Sequence, residues 1–154
     1  MSLAIEKWDA LLERWYADPL TLIHGDSHLA NCFEYAASEG PRMGMLDFQG
    51  VQWCHGIRDV QYFLINSLDP SLLAECEGEL IRAYVDALAG SGIALDLGEA
   101  RERYRALAFQ TLMVAVVSLG LGGLTERADT LRTVLTRSVA AIDRLEFAEW
   151  LERL

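Results

Sequence analysis

The sequence predicts a mainly α-helical domain that carries one small β-hairpin. Segments with apolar residues at helical spacing fill residues 59–154, and two short apolar runs flank a Gly/Pro-containing turn at residues 38–41. Hydrophobic residues make up 52% of the 154 residues, which is enough for a packed core and argues against disorder. Because no repeat, low-complexity segment or linker interrupts the chain, residues 1–154 are predicted to form a single domain.

The first element is predicted to be a helix. Ile5, Trp8, Leu12 and Trp15 recur at helical spacing. Large exposed apolar patches usually mark contacts between chains. We therefore expect the face formed by Trp8, Leu12 and Trp15 to be a candidate surface for self-association.

The hairpin is predicted next along the chain. The apolar run Leu20–Ile23 follows Pro19 and is expected to form a strand that ends at a loop. The runs 32–33 and 43–46 are expected to pair as short strands across the turn. This pairing would place Asn31 and Asp47 at neighbouring ends of one hairpin.

Two helices are predicted after the hairpin. The first runs from Asp59 to about Leu68. Asp69 followed by Pro70 is typical of a capped helix start, and this second helix should end at Gly90. Its predicted apolar face consists of Leu73, Cys76, Leu80, Tyr84 and Leu88.

Two further helices complete the predicted bundle. Asp96 with Glu99 forms a capping-box-like start for a long helix to about Leu119. The cluster at residues 120–123 contains three glycines and is expected to end that helix in a turn. A fourth helix, marked by apolar residues between 128 and 145, is extended or followed by a segment with Phe147, Trp150, Leu151 and Leu154.

The segment at residues 24–31 reads His-Gly-Asp-Ser-His-Leu-Ala-Asn and is followed by Asp-Phe-Gln at 47–49. A magnesium-dependent phosphoryl-transfer site needs a carboxylate to orient the attacking hydroxyl and oxygen ligands for the metal ion. Asp26, Asn31 and Asp47 are residues of these types. Kinase catalytic loops have the order His-x-Asp-x-x-x-x-Asn with an Asp-Phe element downstream, and the spacing here matches.

These motifs, with Gly-Ile-Arg-Asp at residues 56–59, resemble the aminoglycoside phosphotransferase and choline kinase-like superfamily, including its ecdysteroid kinase-like branch. The resemblance covers roughly residues 20–68 and implies the carboxy-terminal lobe of a kinase-like fold that uses ATP and Mg²⁺. It implies three sets of roles: a catalytic base at Asp26; magnesium and cofactor ligands at Asn31 and Asp47; and structural support of the loop by His24, His28 and Asp59. Gln49 replaces the Gly of protein kinases, so no mobile regulatory switch is expected there.

A kinase also needs an amino-terminal lobe with a Gly-rich loop and a strand lysine. About twenty residues precede the motif, and the only lysine, Lys7, lies in the first predicted helix. The amino-terminal nucleotide lobe is therefore expected to be absent. The predicted function is the catalytic lobe of a small-molecule phosphotransferase that moves the γ-phosphate to a substrate hydroxyl. The alternative is a truncated or inactive lobe that serves as a binding or assembly module, which leaves enzyme activity open.

The composition of the chain indicates which classes of partner and which cellular location are expected. The formal net charge of −10 argues against nucleic-acid or anionic-membrane binding, and would suit a cationic hydroxyl substrate. Three cysteines without a Cys-x-x-Cys pair or a signal peptide indicate a reducing, cytoplasmic location without disulfides. The longest apolar stretch, residues 106–119, is too short to span a bilayer and is predicted to be a core helix. Self-association as a homodimer is expected.

Two other chemistries can be considered for the same residues. His24, Asp26 and His28 alternate and could form a zinc site with His55 or Cys54. That hypothesis leaves the Asp-Phe element unexplained. An esterase has no support, because no Gly-x-Ser-x-Gly motif is present.

Overall fold

The computed structural model describes residues 2–120 and 128–154, and it is mainly helical, as the sequence predicted. Short 3-10 turns at Leu29–Asn31 and Phe48–Gly50 border the hairpin. The elements in chain order are α1 (Ser2–Glu6), α2 (Trp8–Tyr16), β1 (Thr21–Ile23), β2 (Cys32–Ala37), β3 (Gly40–Met45), β4 (Gln52–Cys54), α3 (Ile57–Ser67), α4 (Pro70–Gly90), α5 (Leu97–Gly120), α6 (Ala128–Arg144) and α7 (Phe147–Glu152).

The strands form two separate antiparallel pairs. In the predicted hairpin, β2 pairs with β3, with Cys32 opposite Met45. A second pair joins β1 to β4, with Leu22 opposite Trp53. The sequence predicted β1 but not β4. Because β4 has only three residues and its partner lies about thirty positions earlier, no local hydrophobic pattern indicated it.

Helix α5 lies at the centre of the bundle and contacts α2, α3, α4, α6 and α7. Tyr104, Leu107 and Thr111 are among its fully buried side chains. Trp15 of α2 is only 1% exposed and its indole Nε1 donates a hydrogen bond of 2.7 Å to the carbonyl oxygen of Ala106. Trp15 is therefore not available for the contact surface expected from the sequence, and Trp8 and Leu12 are half-buried against the same core.

Helix α4 begins as predicted. Asp69 caps it by accepting a hydrogen bond from the backbone amide of Ser71 at 2.9 Å, with Pro70 in the first turn. The predicted apolar face needs one correction, because Leu80 is 37% exposed whereas Ile81 is 4% exposed. Ile81 lies two four-residue steps after the buried Leu73, so it continues the buried stripe and Leu80 does not.

The start of α5 is also as predicted, because Asp96 accepts hydrogen bonds from the backbone amides of Gly98 and Glu99 at 2.8 and 3.1 Å. The apolar run within α5 is buried only in its first part, and Val117 near its end is 51% exposed. The helix ends at Gly120, and the rest of the predicted glycine turn lies outside the described residues.

The last two helices are separate. Glu146 has a positive φ of 49°, which ends the α6 segment and starts α7, so the predicted Phe147, Trp150 and Leu151 segment follows α6 and does not extend it. The three cysteines, Cys32, Cys54 and Cys76, are free thiols. Among the helices of the described residues, none is long and apolar enough to cross a bilayer.

Candidate functional site

The loop between β1 and β2 is anchored by Asp59, in the first turn of α3. The Asp59 carboxylate accepts hydrogen bonds from the backbone amides of His24 at 2.6 Å and Gly25 at 3.0 Å. The hydroxyl of Ser27 donates to the Asp59 carbonyl oxygen at 2.7 Å. Because three groups of the loop bind one residue at a helix start, α3 fixes the path of the chain on both sides of Asp26.

A close contact between two glycines joins this loop to the segment after the hairpin. Gly25 has a φ of +85°, and a Cβ atom there would lie 1.9 Å from the carbonyl oxygen of Gly50. A Cβ on Gly50 would in turn lie 3.2 Å from the carbonyl carbon of Gly25. At Gly25 only a residue without a side chain allows this approach, whereas a side chain at Gly50 would be tightly packed.

The buried imidazole of His24 makes a second connection between the two segments. Its Nδ1 accepts a hydrogen bond from the Asp26 amide at 3.3 Å, so the ring proton lies on Nε2, which contacts the Leu46 carbonyl oxygen at 3.0 Å. The ring also packs against Phe48, with centroids 4.6 Å apart. His24 therefore holds the Asp26 loop next to the segment that contains Asp47.

The carboxylate of Asp26 lies between two loop side chains. The Asn31 side-chain amide nitrogen donates to Oδ2 of Asp26 at 3.1 Å and to its carbonyl oxygen at 2.9 Å. On the other side, Nε2 of His28 lies 3.6 Å from Oδ1. These contacts fix the orientation of the carboxylate while leaving it partly exposed.

Asp47 lies beside this arrangement. The Leu46 amide donates to the Asn31 carbonyl oxygen at 3.0 Å, so Asp47 directly follows a residue paired with Asn31. Its backbone is left-handed (φ 64°, ψ 63°) and its side chain is exposed. Its carboxylate accepts a long hydrogen bond of 3.4 Å from the Gln49 side chain.

The donor set can be tested for Mg²⁺, which binds oxygen ligands and usually keeps several waters or phosphate oxygens. The Asn31 amide nitrogen is committed to Asp26, which leaves its carbonyl oxygen as the free ligand. Asp47 offers an exposed carboxylate nearby. Asn31 and Asp47 therefore offer oxygen ligands on two adjoining segments. Within residues 2–120 and 128–154, no cluster of three or more His, Cys, Asp or Glu side chains could hold a metal ion.

A buried arginine supports the loop from behind, and the sequence analysis missed it. Arg58 donates from Nη1 to the Gly25 carbonyl oxygen at 2.6 Å and from Nε to the Gln110 side-chain oxygen at 2.8 Å. Its guanidinium also lies over the ring of Tyr62, 5.0 Å from the centroid. The sequence did contain a signal for this role, because Arg58 is a charged residue on the buried face of the apolar helix α3.

The other residues of the zinc hypothesis point elsewhere. His55 contacts the Arg14 carbonyl oxygen through Nε2 at 3.2 Å, and the Cys54 thiol contacts the Trp15 carbonyl oxygen at 3.5 Å. Both side chains face the end of α2. The structure thus brings His24, Asp26, His28, Asn31 and Asp59 together and leaves His55 and Cys54 outside the loop.

Comparison with known proteins gives one family. The model of the ecdysteroid kinase-like family matches residues 4–96, which is more than half of the chain and extends well beyond the motif segment. No curated protein and no solved structure matches the chain.

Proposed function

We propose that this chain, which belongs to the ecdysteroid kinase-like family, provides the catalytic lobe of an ATP-dependent phosphotransferase that acts on a hydroxyl group of a small molecule. The family supports a kinase-like phosphotransferase fold. The ATP dependence, the acceptor and the residue roles are our proposal.

One observation carries this proposal. The imidazole of His24 connects the Asp26 amide to the Leu46 carbonyl oxygen, so the proposed base and the proposed metal ligand Asp47 lie on two segments joined by one buried side chain. The Gly25–Gly50 contact brings the same two segments together. A base and metal ligands must be held in a fixed relation for in-line transfer, because positioning supplies much of the rate acceleration.

In the proposed reaction, the acceptor hydroxyl attacks the γ-phosphorus of ATP, its proton passes to the Asp26 carboxylate, and ADP leaves as the bond to the γ-phosphate breaks. The amide of Asn31 orients that carboxylate. Asn31 and Asp47 would supply oxygen ligands for Mg²⁺, which neutralises the phosphate charge when it is bound. His24, His28 and Asp59 would keep the loop in shape.

The experiment is a calorimetric titration with Mg²⁺ and ATP, combined with an assay for transfer of the γ-phosphate to added alcohols. Asp47→Asn should abolish magnesium-dependent nucleotide binding. Asp26→Asn should bind the nucleotide but lose phosphoryl transfer. Asp143→Asn is the matched control, because Asp143 is exposed on α6. Normal turnover in Asp26→Asn would overturn the assignment of the base.

A binding or assembly module is the second candidate function, and an exposed apolar pair favours it. Leu22 and Trp53 face each other across the β1–β4 pair and are 59% and 64% exposed. Large apolar side chains that share one exposed face are typical of contact surfaces. Absence of nucleotide binding together with self-association would support this second function over the first.

A further inference from the structure

A cavity of about 270 Å³ lies where the start of β1, the start of α3, the end of α4 and Arg103 of α5 meet. This volume is just below the range of drug-sized ligand sites, so the cavity suits a compact molecule. None of its lining residues belongs to the loop at residues 24–31. The cavity is therefore formed by side chains other than those of the proposed catalytic loop.

Much of the cavity wall is apolar. Ile57, Leu88 and Leu95 are among its lining residues. Ile93 also lines it and is 54% exposed, so a ligand can enter from solvent on this side. An apolar ligand body would lose contact with water against this wall, which favours binding.

Arg103 places a charged group in the wall of the cavity. Its Nη1 lies 2.7 Å from Nδ1 of His55, and its Nη2 donates to the Glu99 carboxylate. Since a guanidinium only donates, Nδ1 of His55 accepts this hydrogen bond. A guanidinium has more N–H groups than these two contacts use, so Arg103 can still donate to a ligand.

The charges near the cavity differ between its two ends. Burial, together with the Arg103 guanidinium, lowers the pKa of His55, and the Glu99 carboxylate opposes this shift less strongly. At the other end, the Asp59 carboxylate acts on Tyr84 more strongly than Arg103 does. A negatively charged ligand group is therefore favoured beside Arg103 and not beside Tyr84.

Tyr84 supplies an uncharged hydrogen-bond donor at its own end of the cavity. Burial, together with the Asp59 carboxylate, raises the pKa of Tyr84, so its phenol stays protonated at neutral pH. A Cβ atom on Gly56 would lie 2.5 Å from the Tyr84 hydroxyl oxygen, so a side chain at residue 56 would displace this hydroxyl. The Asp59 carboxylate itself accepts hydrogen bonds from the His24 and Gly25 amides of the loop.

We propose that this cavity is a small-molecule site separate from the phosphotransferase site, and that its ligand is a compact carboxylate with an apolar body. The carboxylate accepts hydrogen bonds from the Arg103 guanidinium, and the body packs against Leu88 and Leu95. Hydrogen bonds between a guanidinium and a carboxylate are stronger than those between neutral groups. Because His55 and Glu99 already hold Arg103, its side chain loses little freedom when the ligand binds.

Three compounds with the same ring test the proposal by calorimetry in the absence of nucleotide. Cyclohexanecarboxylate is anionic, cyclohexanecarboxamide is uncharged and cyclohexylmethylamine is cationic, and acetate carries the carboxylate without the apolar body. We expect cyclohexanecarboxylate to bind at least about tenfold more tightly than each of the other three. Equal or tighter binding of any of them, or no binding of cyclohexanecarboxylate, would overturn the proposal.

Variants of Arg103 show whether its charge selects the ligand. Arg103→Gln should remove the preference for the carboxylate over the amide, whereas Arg103→Lys should retain it because the positive charge is kept. Arg101→Gln is the matched control, because Arg101 is exposed on the same helix and the same charge is lost. An unchanged preference in Arg103→Gln, or the same loss of preference in Arg101→Gln, would contradict the inference.

A second pair of variants shows whether the ligand lies in the cavity. Leu88→Trp should fill the space and abolish binding of cyclohexanecarboxylate. Leu80→Trp, at an exposed position of the same helix, should not. Normal binding in a folded Leu88→Trp would overturn the location, and the Arg103 variants test the proposal even if Leu88→Trp fails to fold. Because the titrations contain no nucleotide, their outcome does not depend on whether the chain transfers phosphate.

Discussion

Gly25 is the residue at which the loop is least tolerant of change. Its φ of +85° disfavours any side chain, and a Cβ would overlap the Gly50 carbonyl oxygen at 1.9 Å. Gly25→Ala should therefore destabilise the protein by more than about 1 kcal/mol in urea unfolding, because both backbone strain and a steric overlap are introduced. It should also weaken nucleotide binding, because separating the two segments moves Asn31 away from Asp47, the two proposed magnesium ligands.

The matched control is Gly40→Ala in the hairpin turn. Gly40 has a φ of +110°, but nothing lies within 4 Å of a Cβ at that position. This variant reports strain without overlap, so it should cost less stability and leave nucleotide binding intact. If the two variants are equally destabilised and both bind normally, the Gly25–Gly50 contact is not what positions the loop.

His55 makes the second residue-level prediction, which concerns pH. Burial and the neighbouring Arg103 guanidinium, whose Nη1 lies 2.7 Å from Nδ1, lower the pKa of His55 below its usual 6.5. The unfolded chain therefore takes up a proton as the pH falls below 6.5 while the folded protein does not, so stability should decrease with acidification in this range.

The measurement is the urea midpoint of the wild type and of His55→Gln between about pH 8 and pH 5. The variant should lose part of the pH dependence, because its side chain does not titrate. Each protein is compared with itself at the different pH values, so a pH-independent loss of stability from the missing Arg14 contact cancels. If the urea midpoint changes equally with pH in the two proteins, His55 does not cause the loss of stability at acidic pH.

At the residue level, the sequence could indicate contacts only between residues that are close along the chain. His24, Asp26, His28 and Asn31 lie within eight positions of each other, so their spacing alone indicated that they share a loop. The support of that loop by Arg58 depends on Gln110, which is 52 positions away. A contact between residues so far apart leaves no periodic signal, so the sequence could not predict it.

At the scale of elements, Asp96 is expected to control the start of α5. Asp96→Ala should cost about 1 kcal/mol in urea unfolding, because the Gly98 and Glu99 amides lose their acceptor. Asp96→Ser should recover most of this stability, since serine is also a good capping residue. Asp86→Ala, at an exposed position within α4, is the control and should have little effect.

The capping signals predicted helix starts well because they are local. The Asp69 and Asp96 caps lie where the sequence placed them. The Glu99 carboxylate, however, accepts a hydrogen bond from Arg103 of the same helix, and within the described part of the chain it makes no return contact with Asp96. The local sequence pattern thus identified the Asp96 cap. It did not predict the Glu99 contact, because Arg103 binds the carboxylate that would otherwise complete the capping box.

At the scale of the whole molecule, two parts of the chain contribute differently to the candidate site. The family match ends at residue 96 and includes the loop, the hairpin and α3. Helices α5 and α6 lie beyond it, yet they line a cavity of about 430 Å³ together with His28 and Tyr62. The motif residues all belong to the matched part of the chain, so the sequence pattern indicated a reaction type, whereas no motif marks the walls supplied by α5 and α6.

The last prediction concerns self-association, for which the exposed apolar face of the β1–β4 pair is the candidate surface. Leu22 and Trp53 are neighbours on this face, and burying them against a second copy would remove apolar area from water. Light scattering coupled to size-exclusion chromatography should show a concentration-dependent dimer. Trp53→Glu should shift it to monomer, whereas Ile93→Glu, which changes an exposed apolar residue outside the sheet, should not. A monomer at all concentrations in the wild type, or equal effects of the two substitutions, would rule out this face as the interface.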